Sequence, residues 1–322
     1  MTYTLIILGL ILLLCGGEAV VRGSISLAQR LGVSPLIVGL TIVGFGTSLP
    51  EMVVSVNAAL IGSPGLVVGN VIGSNIANIL LILGVAALIA PFSIHPTAVR
   101  RDALVMIAAT LIYFGLGMTG RIDVLHGTVM LLFIVGYIAF TFREDSKVNS
   151  ASTHSDCDRT EKLDGGALRT LGFFGLVMIG LILVVVGAEW LVTGSTELAM
   201  AFGVPEEVIG LSIIALGTSL PELATSIVAA YRGHSDLCVG NVLGSNIFNL
   251  FGITGVTALL IPLPFSQKIM QFDLWVLLIA TIILLPFLLK HRKLYRLVGV
   301  IFLIAYISFI ACQFAGMNGT MP

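Results

Sequence analysis

The chain repeats itself. A displacement of 171 positions, from 18 to 189, lays Glu18–Gly84 over Glu189–Gly255 without a gap. GLTIVGFGTSLPEMVVSVNAA falls on GLSIIALGTSLPELATSIVAA, and VVGNVIGSNIANILLILG on CVGNVLGSNIFNLFGITG. Two such copies must each fold alike and then pack against one another. What surrounds them decides where that happens. The 322 residues are 57% hydrophobic and 10% charged, whereas a soluble domain carries about a quarter charged residues. Apolar runs at 3–29, 36–60, 66–90, 102–119, 124–142, 170–200, 207–231, 237–261, 272–289 and 295–314 are each of membrane-crossing length.

The pattern predicts an all-α membrane protein of ten transmembrane helices. Strand-length alternation is absent, which disfavours a membrane β-barrel. The first run lacks a basic start and an Ala-x-Ala exit and reads as a span, not as a leader. Five spans per copy is an odd number, so the second copy enters the membrane upside down. Residues 1–142 and 170–322 are expected to form two inverted-topology five-helix repeats, a frequent transporter design. Between them, 143–169 is charged and rich in Ser and Asp, which reads as a polar linker. With the N-terminus on one side, thirteen Lys and Arg residues fall on the other side and two on its own. The positive-inside rule then places the linker in the cytoplasm and both termini outside, in a cell (plasma or inner) membrane. No basic cluster suggests nucleic acid. Cys15, Cys157, Cys238 and Cys312 share no C-x-x-C spacing and imply neither zinc nor a disulfide framework. No obligatory protein partner and no cofactor are implied; lipid is the surroundings.

GTSLPE, at Gly46–Glu51 and Gly217–Glu222, is costly inside a span. Pro50 and Pro221 have no N–H and clash with the carbonyl four residues back, on Gly46 and Gly217, so each helix should kink or break. Freed carbonyls at membrane depth need a partner, and a cation can be one. Glu51 and Glu222 lie about fifteen residues into their spans, with no Lys or Arg at similar depth. A lone buried carboxylate costs several kcal/mol, so each is either protonated or paired with a mobile cation. Thr47 and Ser48, like Thr218 and Ser219, sit one turn earlier. Ser74 and Asn78, like Ser245 and Asn249, share a helix face at i, i+4. Asn75 and Asn246 point about 100° away and are expected to bond backbone or a neighbouring helix. Gly69 and Gly73, like Gly240 and Gly244, form G-x-x-x-G pairs suited to close helix packing. The donors are all hard oxygens, which disfavours zinc, copper and iron. Such a set suits Ca2+, and Na+ has similar preferences.

These motifs resemble the α-repeats of the calcium/cation antiporter superfamily, most closely its prokaryotic sodium/calcium exchanger branch, over nearly the whole chain. The resemblance implies a central site holding Ca2+ or Na+. Its ligands would be Glu51, Glu222, Thr47, Thr218, Ser48, Ser219, Ser74, Ser245, Asn78 and Asn249, with the backbone carbonyls of Gly44 and Ala215. It also implies first and sixth spans that slide against a fixed core. Potassium-dependent members carry Asp where this chain has Asn249, so potassium independence is expected. The function this implies is secondary antiport of Ca2+ for Na+ by alternating access. A proton-coupled cation antiporter is the alternative, and a cation channel the reading from another class. No His, metal cluster or second acid of suitable type supports a membrane enzyme built on Ser48 and Glu51. Glu18 and Arg22, four apart in the first span, can pair along the helix.

Overall fold

Long apolar runs leave the backbone no partner but itself, and the chain folds into helices. In a computed structural model, residues 2–94, 96–152, 167–202, 215–290 and 293–317 are described. Helix α1 is Thr2–Leu31. Helix α2 is two halves, Pro35–Thr47 and Leu49–Leu60, bent by 42°. Then follow α3 (Pro64–Ile89), α4 (Pro96–Met118), α5 (Val124–Ser152) and α6 (Ala167–Ala201). Helix α7 (Leu220–Tyr231) follows a turn at Ala215–Gly217. The last three are α8 (Ser235–Leu260), α9 (Ile269–Leu289) and α10 (Arg296–Met317). Among the described residues, eight helices are long and apolar enough to cross a membrane, and the bent α2 makes nine. The expected seventh span, 207–231, begins outside the described residues; α7 is its second half.

Prolines start helices and glycines stop them. Pro35, Pro50, Pro64 and Pro221 each occupy the first turn of a helical segment, where a missing N–H costs nothing. Gly62 and Gly233 follow α2 and α7 with φ of 73° and 78°, a left-handed conformation that glycine adopts without strain.

Helices α1 and α6 run antiparallel along most of their lengths. Their contact is lined by glycines seven residues apart: Gly9, Gly16 and Gly23 on α1, Gly180, Gly187 and Gly194 on α6. A Cβ on Gly16 would come within 2.8 Å of Gly180 O, and one on Gly9 within 2.8 Å of Gly187 O. The sevenfold spacing keeps the small face on one side of each helix, so the backbones lie almost in contact. The main apolar core draws on α2 to α5 and α7 to α10 together with Val20, Val21 and Ala28 of α1 and Val177 and Leu181 of α6, while Leu13 of α1 and Val184 and Ala188 of α6 form a separate cluster.

Two departures from the sequence expectations stand out. Four two-residue strands are present. Phe92–Ser93 pairs with Lys293–Leu294, and Arg121–Ile122 with Leu263–Pro264, both antiparallel. They join the helix connections at the two ends of α4, where backbone groups leave the helical ladder and need partners. Helix also runs into the polar segment from both sides: α5 continues to Ser152 and α6 begins at Ala167. No Pro or Gly stands between 143 and 152, so the helical hydrogen bonds run on into polar sequence. The remainder of 143–169, including His154 and Cys157, lies outside the described residues, as do His95 and Asn318.

Candidate cation site

The break in α2 comes at Ser48, two residues after the Gly46 carbonyl that Pro50 displaces. Gly44–Thr47 completes a turn, Ser48 leaves the helix at φ −83° and ψ 7°, and Leu49–Leu60 starts again. Ser219 does the same before α7, at φ −90° and ψ 4°. Glu51 and Glu222 therefore sit in the first turn of a new helix, where unpaired N–H groups and the helix dipole favour negative charge.

Both carboxylates are fully enclosed, with 1% of Glu51 and none of Glu222 exposed. They are held crosswise. Ser48 Oγ donates to Glu222 Oε1 at 2.9 Å, and Ser219 Oγ donates to Glu51 Oε1 at 3.3 Å. Each repeat thus supplies the serine for the other's glutamate. Among the described residues no Lys or Arg forms an ion pair with either.

Helices α3 and α8 complete the enclosure, and both widen into a π-helical stretch at the site, Asn78–Ile82 and Phe248–Ile253. Such one-turn widenings rotate side chains out of the regular register. Asn78 Nδ2 donates to Asn246 Oδ1 at 3.1 Å. Asn75 Nδ2 donates to its own helix at Val71 O, 2.7 Å. Ser245 Oγ donates to Gly44 O at 3.1 Å, which ties α8 to α2. Thr47 Oγ1 lies 3.0 Å from Val43 O and 3.2 Å from Asn241 Oδ1.

What is left over is informative. Glu51 Oε2, Glu222 Oε2, Asn78 Oδ1 and both amide atoms of Asn249 are buried without a hydrogen-bond partner. Native interiors pair nearly all such atoms. Four of these five are acceptor oxygens, two of them carboxylate. Among the described residues no hydrogen-bond donor reaches them.

Ser48 with Glu222 and Ser219 with Glu51 are bonded across the repeats, Thr47 reaches the Glu222 backbone through Asn241, and Ser245 binds the Gly44 carbonyl, while Asn78 bonds Asn246 separately. Ser74 is buried on α3, one turn before Asn78. Thr218 is half-buried beside Ser219. Ala215 opens the turn before α7 at the edge of the described residues, so the surroundings of its carbonyl lie beyond them. The G-x-x-x-G expectation divides. A Cβ on Gly240 or Gly244 would strike the α2 backbone, at 2.3 Å from Leu36 O and 2.0 Å from Leu40 O. Gly69 and Gly73 face no described atom within 4 Å; displaced by 171, Leu36 and Leu40 become 207 and 211, outside the described residues.

Sequence reasoning passed over two further pairs of repeat mates. Asn70 Nδ2 donates to Glu51 O and Ser55 Oγ, at 3.1 and 2.9 Å. Asn241 Nδ2 donates to Glu222 O, Thr225 Oγ1 and Ser226 Oγ, at 3.4, 3.1 and 2.9 Å. The Gly-Asn step is identical in both copies, a signal that was legible. Asp102 and Asp273 also stand 171 apart. Tyr137 on α5 donates to Asp102 at 2.7 Å, and Gln313 on α10 donates to Asp273.

Eight to nine apolar helices around a buried oxygen-rich centre define a multi-pass membrane protein of the ion-carrier class. The family follows from comparison. The model of the sodium/calcium exchanger protein family matches residues 1–143 and 172–315, and the chain belongs to that family of cation antiporters. It is 33% identical to the sodium/calcium exchanger MaX1 of Methanosarcina acetivorans, over 97% of this chain and 98% of that one. It is 36% identical to the inner membrane protein YrbG of Escherichia coli, over 87% and 86%. Among solved structures it resembles the sodium-calcium exchanger NCX_Mj, with a TM-score of 0.84 and 34% identity over 97% of this chain and 98% of that one.

Proposed function

We propose that the chain exchanges Ca2+ for Na+ across a cell membrane by alternating access to the site between α2, α3, α7 and α8. The observation that carries this reading is the set of four buried acceptor oxygens, on Glu51, Glu222, Asn78 and Asn249, that no hydrogen-bond donor among the described residues reaches. Two carboxylates balance one Ca2+, and the same oxygens suit Na+, so the two cargoes compete for one place. Thr47, Ser48, Ser74, Thr218, Ser219, Ser245 and the Gly44 and Ala215 carbonyls complete the proposed ligand set. Asn249 withholds the charge that would favour K+, and transport is independent of it.

The protein around the site is read as ten spans in two inverted five-helix repeats. The symmetry of the contacts supports this: Ser48 to Glu222 against Ser219 to Glu51, and Asn70 to Glu51 O against Asn241 to Glu222 O. The positive-inside bias supports a cytoplasmic linker with both termini outside. Na+ rather than H+ as the counter-ion is supported by relatives that are themselves described as sodium/calcium exchangers.

The test is uptake of 45Ca2+ into proteoliposomes loaded with Na+, K+ or choline, or holding a pH gradient. Uptake should require internal Na+ and be abolished by Glu51→Gln or Glu222→Gln, in protein that still elutes as a single species. Uptake driven equally by a pH gradient would replace Na+ with H+. Full activity in both variants would remove the site.

A further inference from the structure

The two Gly-Asn asparagines look equivalent in sequence, but the structure separates them. Asn70 on α3 acts within its own repeat, donating to Glu51 O and to Ser55 Oγ on α2. Asn241 on α8 does the same toward α7 and is almost wholly buried. Its oxygen then does something else: it accepts from Thr47 Oγ1, at 3.2 Å, across the boundary between the repeats. Among the described residues, Thr218, the mate of Thr47, makes no such bond with Asn70.

We propose that Asn241 is a positioning residue that sets the spacing of the two halves of the cation site, holding Thr47 of the first repeat and the Glu222 backbone of the second on one amide. The proposal rests on the reading of that site given above. An amide is planar, and its nitrogen and oxygen are fixed relative to each other. The nitrogen of Asn241 is held by three acceptors on α7, so its oxygen has one direction left, and that direction faces Thr47. A threonine hydroxyl has one proton and two lone pairs. With the proton directed to Asn241, both lone pairs of Thr47 are free for a cation. Rigid support of this kind around ligand groups commonly sets affinity. Asn70 can supply no equivalent constraint, because both of its bonds stay inside the first repeat.

The experiment compares Asn241→Ala with Asn70→Ala in Na+-loaded proteoliposomes, with Ca2+ as the probe and both KM and maximal rate measured. Both variants lose the bonds to a Glu carbonyl and a serine, and only Asn241→Ala also loses the contact with Thr47, which the double variant isolates. Asn241→Ala should raise the Ca2+ KM about five- to tenfold, the worth of one or two hydrogen bonds, while Asn70→Ala stays within about twofold. Thr47→Val should also raise KM, and the double variant with Asn241→Ala should fall short of the product of the single effects, as coupled residues do. Equal KM shifts for the two asparagines, or fully multiplicative effects with Thr47→Val, would overturn the proposal. If Asn241→Ala does not fold, Asn241→Ser is compared with Asn70→Ser on the same criterion. Glu222→Gln in the same vesicles separates the two readings. If it is inactive and the asparagines behave alike, the positioning role alone fails; if it transports normally, the site reading fails and the positioning role with it.

Discussion

Gly244→Ala is a change of one methyl group, and the structure sets its consequence. The added Cβ would lie 2.0 Å from Leu40 O, 2.6 Å from Leu40 C and 2.7 Å from Leu40 Cα. All three atoms are backbone, so no rotamer change relieves the clash. To reach the roughly 3.4 Å of ordinary contact, α8 must retreat from α2 by about 1.4 Å. Ser245 follows directly, and its 3.1 Å bond to Gly44 O would open beyond hydrogen-bonding distance. Overpacking costs about 1–3 kcal/mol and the lost bond about 1 kcal/mol, together about 2–4 kcal/mol. Thermal unfolding in lipid nanodiscs, followed by tryptophan fluorescence, should show a midpoint lower by several degrees. Ca2+ uptake should fall with it, because Ser245 and Gly44 are both proposed ligands. Gly136→Ala is the control: Gly136 is exposed on α5 with no described atom within 4 Å. There alanine should stabilise the helix by up to about 1 kcal/mol. If Gly244→Ala unfolds with the parent protein and transports normally, the close approach of α2 and α8 does not hold the site together.

Two smaller changes test other parts of the argument. Glu18 accepts from Arg22 and from Arg232, the latter at 2.7 Å, but the arginine side chains are 67% and 47% exposed; Glu18→Gln should therefore cost less than about 1 kcal/mol, and less still in high salt, by thermal unfolding. A cost of several kcal/mol would mean that the pair is far drier than its exposure indicates. Asn249→Asp places a charge where the amide has no hydrogen-bond partner, and uptake assays over Na+, K+ and pH should show altered cation dependence; identical profiles would take Asn249 out of the ligand set.

The repeat made much of this fold readable, because it states the same structural problem twice. Pro50 and Pro221 announced broken helices, and both breaks are present at the serine before each Leu-Pro-Glu. The crosswise serine-to-glutamate bonds could not be read in the same way. Local spacing places Ser48 near Glu51 on one helix, but its partner is Glu222, from the other repeat. Asp102 and Asp273 were hidden for a different reason: outside the continuous repeated block, two carboxylates 171 residues apart do not draw attention until Tyr137 and Gln313 are seen bonded to them.

Thr47 and Thr218 mark where sequence symmetry stops being a guide. Identical hexapeptides surround them, and the Asn about two helical turns into the next span is identical too. Yet Thr47 is buried and bonded to Asn241, while Thr218 is half-buried without the matching bond. Two copies related by a pseudo-twofold axis can be equivalent only in a conformation that treats both faces of the membrane alike. An alternating-access carrier spends its cycle in states that favour one face, so its halves must differ in any one of them. Under the alternating access proposed above, the unequal threonines are the form that difference takes in this structure. On that reading, the hydrogen bond between Thr47 and Asn241 belongs to a single state of the proposed cycle.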